Sequence, residues 1–363
     1  MLHRPKARLV AVAAAAGTVC ALAAAGAAMA GPTSPSWSTS APAIPNVFTN
    51  ATPGLAAFYL NNVRGTFVTW KGQLDNRVMY RYKWGGKWSP VEAIPGALTT
   101  DGPAAAFYTN PLSQPSELVA WKALHSTTIW YVTGEINSNG SLSWTGVRSI
   151  AVKGDTLAYS DTGPSILFPL NSPNGRVIIS WRGPGHHVRY ELGTPAGRLF
   201  TFDSSAWISG GTLLYKTTTS GTPALAEVLG PGGNGTVYVF WKADGSGKAI
   251  SYASTPDLAG TGLQGNKTIP WTLLGGVPGA SSTSPPTASS VSAHGTGPLM
   301  LAYKGPGGEF IRYQILSSGT WSPYAFVTGP NNKTAISPSL LNGLLANVSP
   351  TSSGRIYLHI YIG

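Results

Sequence analysis

One seven-residue pattern recurs five times along this chain and limits its fold more than any other feature. "TFVTWKG" at 66–72 is followed by "ELVAWKA" at 117–123, "VIISWRG" at 177–183, "VYVFWKA" at 237–243 and "LMLAYKG" at 299–305. The aromatic residues Trp70, Trp121, Trp181, Trp241 and Tyr303 are spaced by 51, 60, 60 and 62 residues. Self-similarity on this scale marks an architecture in which each copy builds the same small unit.

Each copy carries further marks. Nine to eleven residues after the key aromatic comes a branched-x-Tyr triplet, ending at Tyr80, Tyr131, Tyr190, Tyr252 and Tyr313. A Trp follows, as Trp-Ser-Pro at Trp88 and Trp321, with looser counterparts at Trp144, Trp271 and Trp207. A Pro and a small or apolar run precede the aromatic, as in "TPGLAAF", "GPAAAF", "GPSILF" and "TPALAEV". Each unit therefore reads as four short strands separated by Gly, Pro, Asn and Ser turns, without helical periodicity.

In "ELVAWKA" both parities are apolar, Val119 and Trp121 on one face and Leu118 and Ala120 on the other. A strand apolar on both faces must be covered on both sides. Blades stacked around an axis provide that cover, so the expected fold is an all-β propeller of about six four-stranded blades. Five blades are full repeats. The sixth is composite, with "ISPSLLNGLLANV" and "RIYLHIYIG" as its first two strands and "SWSTSAPAIPNVFTN" supplying its Trp-Ser strand and exit loop. No third strand is evident for that blade, and five blades is the alternative count.

The chain opens with Arg4, Lys6 and Arg8, an Ala-rich apolar run, and Ala28-Met29-Ala30, the form of a secretory leader with a small-x-small cleavage site. The expected division is a signal peptide at 1–30 and a single propeller domain at 31–363, with 31–36 a loose tail. The one cysteine, Cys20, falls in the leader, so the exported chain is expected to be disulfide-free. Removing the leader leaves 21 Lys and Arg against 13 acids, a charge near +8. No basic cluster of nucleic-acid type appears, and no later segment could span a membrane. The expected partners of such a secreted protein are glycans or anionic cell-wall polymers.

The key tryptophans share parity with Val and Ile, which places them in the core rather than on a sugar platform. The residue after each aromatic is always basic: Lys71, Lys122, Arg182, Lys242 and Lys304. In propeller topology these five form a ring on one face, beside the loops that link successive blades. They serve either as stems covering apolar surface or as a multivalent patch for an anionic or hydroxylated ligand. The turns that follow vary and add Asp75, His125, His186, His187, Asp244 and Glu309 as ligand-binding candidates. A constant frame with diversified loops is how a repeat scaffold builds sites. His186 and His187 are adjacent and face opposite ways on an extended chain, so neither a metal site nor a cofactor is expected. There is no G-x-S-x-G, H-E-x-x-H or phosphate-cradling motif, and no catalytic residue is assigned.

The pattern "WKG…D…RVMYRYKWGGKWSP" resembles the repeat of secreted bacterial propellers, including fucose-binding propeller lectins and sialidase-like propellers. It covers essentially all of the exported chain. The lectin resemblance implies several shallow sugar sites between adjacent blades. Sialidases carry Asp-box turns, but "SSGTWSP" at 317–323 and "SNGSLSW" at 138–144 keep the Gly and Trp without the Asp. No arginine triad or Tyr–Glu pair of that family is recognisable. The expected function is non-enzymatic, lectin-like binding of carbohydrate or cell-surface polymer. A sialidase-like hydrolase or lyase and a protein-interaction scaffold are the alternatives.

Overall fold

The computed structural model describes residues 36–61, 63–109, 115–152, 156–169, 176–196, 199–201, 211–212, 217–230, 233–245, 247–256, 269–292, 295–350 and 354–362. The expected leader at 1–30, residues 31–35 and Trp207 lie outside these. Six antiparallel sheets follow one another as the blades of a β-propeller. In the first, Gly54–Leu60, Val63–Lys71, Arg77–Trp84 and Lys87–Trp88 pair in sequence order. Glu92–Leu98 then returns alongside the third strand. The second blade repeats this with Ala104–Thr109, Pro115–Lys122, Ile129–Ile136 and Leu142–Trp144. The next three begin at Ser165–Leu167, Ala224–Leu229 and Thr287–Ser290.

The second strands are buried on both faces. Val119 and Trp121 pack with Phe67 and Tyr80 of the first blade. Leu118 and Ala120 pack with Val177 and Trp181 of the third. Trp70, Trp121, Trp181, Trp241 and Tyr303 are all buried, which assigns them to the seams between blades. Truncating such a ring costs about 3–5 kcal/mol. Four of the five third-strand tyrosines are buried, Tyr80, Tyr131, Tyr190 and Tyr313. The Tyr80 hydroxyl donates to Glu92, and that of Tyr190 accepts from the Ile269 amide at 3.1 Å.

The sixth blade is composite, but its division differs from the sequence expectation. "ISPSLLNGLLANV" contains two strands, Ser339–Leu341 and Leu344–Val348, joined at Asn342-Gly343. Both turn residues have positive φ, 45° and 74°, the geometry that a two-residue hairpin requires. Arg355–Ile362 is thus the third strand, and the missing strand is accounted for. Ser36–Trp37 and Ala43–Phe48 both pair with it, as Lys87–Trp88 and Glu92–Leu98 do in the first blade. Ser36 belongs to this sheet opposite Ile362, not to a tail.

The register shows how this blade departs from the repeat. Ser339, the first residue of its inner strand, pairs with Ala346, as Thr287 pairs with Ala302 in the fifth blade. Asn347 and Val348 therefore occupy the places held elsewhere by the aromatic and the cation. Asn347 is fully buried and joined to His359 Nε2 at 2.9 Å, a polar pair where the other blades hold a ring.

Candidate functional site

The channel mouth is built by the six loops that lead into the inner strands. Each loop carries a buried Ser or Thr four residues before a proline: Thr49, Thr99, Ser160, Thr219, Ser282 and Thr334. In every one the hydroxyl donates to the carbonyl two residues on, at 2.6 to 3.2 Å. Such a local bond fixes the loop before the proline starts the strand. The spacing Ser/Thr-x-x-x-Pro marks all six lead-in loops, but it also occurs elsewhere, as at Ser38–Pro42 and Ser180–Pro184, so by itself it does not count the blades. It passes for ordinary turn composition unless the copies are aligned.

These loops close into a collar. A Cβ on Gly102 would lie 2.1 Å from the Thr52 carbonyl oxygen, and one on Gly163 would lie 2.3 Å from that of Gly102. Thr222 Oγ1 donates to the Gly163 carbonyl at 2.8 Å. The cavity they surround holds about 620 Å³ and is lined by Ser, Thr, Pro, Gly and small apolar residues. Among the described residues its lining has one carboxylate, Asp101, one cation, Lys304, and no arginine.

The five repeated cations share the face of this collar, and each head group is held by a lead-in loop. Lys71 Nζ donates to Asn50 at 3.1 Å, Lys122 to Thr100 at 2.7 Å, and Lys242 to Ser220 at 2.7 Å. Arg182 pairs with Asp161 at 2.8 Å, and Lys122 is also 3.5 Å from Asp101. Lys304 crosses to the following blade and donates to the Ala335 carbonyl at 2.9 Å. In all five the residue immediately after the buried Ser or Thr is a partner. The cations thus act as latches on the loops, a third role beyond the two that the sequence offered.

The variable turns are brought together only in part. His186 of the third blade meets Asp244 of the fourth at 2.5 Å, and this bond holds the Asp244 carboxyl below its usual range. His187 turns instead to the Thr217 carbonyl at 3.3 Å. Asp75 binds Arg77 within its own turn, beside the fully projecting Leu74. His125 and Glu309 are exposed on separate blades. Among the described residues no three His, Cys, Asp or Glu side chains converge on a common point.

A second cluster, absent from the sequence expectations except for its neighbour Glu309, lies on the fifth blade. Phe310, Tyr324 and Phe326 are 44, 44 and 45% exposed and stand edge to face at 6.2 and 5.8 Å. The Arg312 guanidinium lies 4.4 Å from the Tyr324 ring centre, and Lys333 Nζ lies 4.9 Å from that of Phe310. Arg312 shares strand parity with Gln314, whose amide donates to the Pro278 carbonyl of the fourth blade at 2.9 Å. The aromatic group therefore lies beside the seam between the fourth and fifth blades. Strand order alone could not reveal it, because Phe310, Phe326 and Lys333 come from three different segments.

No protein-family model matches the chain, and no curated protein matches it. Solved structures share its architecture. An α-L-arabinanase of Penicillium chrysogenum, complexed with arabinobiose, aligns over 91% of this chain and 98% of its own, with TM-score 0.55 and 13% identity. AofleA of Arthrobotrys oligospora aligns over 86% and 89%, with TM-score 0.56 and 9% identity. The Aleuria aurantia lectin, in complex with Fucα1-6GlcNAc, aligns over 84% and 94%, with TM-score 0.53 and 11% identity. At these identities the similarity is one of fold.

Proposed function

We propose that this chain is an exported, non-catalytic carbohydrate-binding propeller whose ligand sits at a blade seam rather than in the channel. The observation that carries this reading is the exposed ring cluster of Phe310, Tyr324 and Phe326 with Arg312 against it. Flat aromatic faces receive the C–H faces of sugars, while a guanidinium supplies several fixed donors for hydroxyl or carboxyl oxygens. Exposed apolar surface of this kind on a soluble domain marks a contact site.

The channel mouth supports the non-catalytic part. Glycoside hydrolysis needs two carboxyl groups across the scissile bond. The one acid in the described lining, Asp101, stands beside Lys122. Asn50, Thr100, Ser220 and Thr222 of the collar are already engaged in holding the loops. Two of the fold neighbours are solved with sugars, which is consistent with saccharide recognition on this architecture.

The test is a glycan array probed with the chain from residue 31 onward, alongside assays for release of reducing ends. Binding without turnover is expected. An array negative throughout overturns the reading, and so does hydrolysis of a bound glycan. The export component predicts that protein recovered from the culture medium starts at Gly31, which its intact mass decides.

A further inference from the structure

Resting on that reading, we infer that the seam cluster of the fifth blade selects acidic saccharides, with Arg312 and Lys333 reading a carboxylate. Both cations border the three exposed rings, and among the described residues neither forms an ion pair. Arg312 Nε is buried without a hydrogen-bond partner. This sets them apart from Lys71, Lys122, Arg182, Lys242 and Lys304, whose head groups are all engaged by the loops.

Arg312 is also held in place. It lies across Gly305, where an added Cβ would meet Nε at 2.6 Å, and its guanidinium is 4.4 and 5.4 Å from the Tyr324 and Phe326 ring centres. A guanidinium stacked on rings and fixed at its stem loses little freedom when it takes a carboxylate in two parallel bonds. Lys333 stands exposed at the far ring, Phe310, as a second positive point. Rings between two positive groups match a chain of sugars that carries repeated carboxylates. Without the expected leader, the excess of 21 basic over 13 acidic residues favours the approach of such a polymer.

The experiment is calorimetric titration of the leaderless chain with galacturonate, glucuronate and mannuronate trimers, and with the methyl ester of each. At least one acid trimer is expected to bind at least tenfold more tightly than its ester and to weaken steeply with salt. Arg312→Ala and Lys333→Ala should each reduce that binding about tenfold with an unchanged melting temperature, while Lys122→Ala, at another blade, should not. Equal binding of acid and ester overturns the inference and leaves the carbohydrate reading standing. So does acid binding that survives both substitutions. No binding of any acid trimer overturns the inference, and the array of neutral glycans then decides the broader reading separately. Binding to phosphatidylserine vesicles but to no trimer assigns the patch to membrane surfaces and overturns it as well.

Discussion

At the scale of single residues the largest anomaly is Glu117. It is fully buried, and neither carboxyl oxygen has a hydrogen-bond partner. Its register, opposite Phe107 and Gly134, matches that of Val177, Val237 and Leu299 in other blades. Burial pushes its carboxyl well above the usual carboxylate range. The folded state therefore keeps a proton that the unfolded chain releases. Stability should be highest below the unfolded pKa near 4.3 and fall as pH rises towards the folded value. Glu117→Val is expected to raise stability at neutral pH by about 1–3 kcal/mol and to flatten that slope. Denaturant unfolding at a series of pH values measures both. The sequence shows this Glu plainly within "ELVAWKA" but gives no sign that its position is interior until the register is known.

At the scale of elements, the second and third strands were legible because bulky Trp and Tyr residues recur at positions that only a doubly covered strand can use. The lead-in loops were not, because their information lies in small polar residues whose role is local. Their close contacts can be tested. Gly163→Ala places a methyl group against the Gly102 carbonyl oxygen, whereas the space around Gly146 is open within 4 Å. The first substitution should cost roughly 1–3 kcal/mol and the second almost nothing, as read from thermal melts. Thr219→Val removes the internal bond of one loop while keeping its bulk, and should cost about 1 kcal/mol. The ligand cluster was the least legible element. Its rings interrupt no repeat, and only the fold brings 310, 312, 324, 326 and 333 together.

At the scale of the whole molecule, stability depends on the blade that joins both ends. Its fourth strand is only Ser36–Trp37, yet Trp37 is buried and meets Tyr313 and Tyr361 edge to face at 5.5 and 5.4 Å. Trp37→Ala should lower stability by about 3–5 kcal/mol and lower the midpoint of one cooperative transition, because no blade covers its own two faces. His359 sits in the same blade, fully buried, with Nδ1 unpartnered. Burial holds its pKa below the usual value near 6.5, so the folded ring keeps it neutral. Its contribution is present above the unfolded pKa and is lost as pH falls from about 6.5 towards the folded value. His359→Gln should remove that acid sensitivity, an effect opposite in sign to that of Glu117. The composite closure was half legible: "SWSTSAPAIPNVF" mirrored the first blade, but Asn347 and Val348 erased the repeat on the other side.

The pairing of Ser36 with Ile362 also has a mechanical side. The two strands run antiparallel, so Ser36 and Ile362 lie side by side at the same end of adjacent strands. Tension applied through them would load the seam bond by bond, as in opening a zipper, rather than shearing all its bonds together. The molecule should resist heat far better than pulling. A single-molecule stretching trace should show it opening first at this seam, at low force, with the other five blades following.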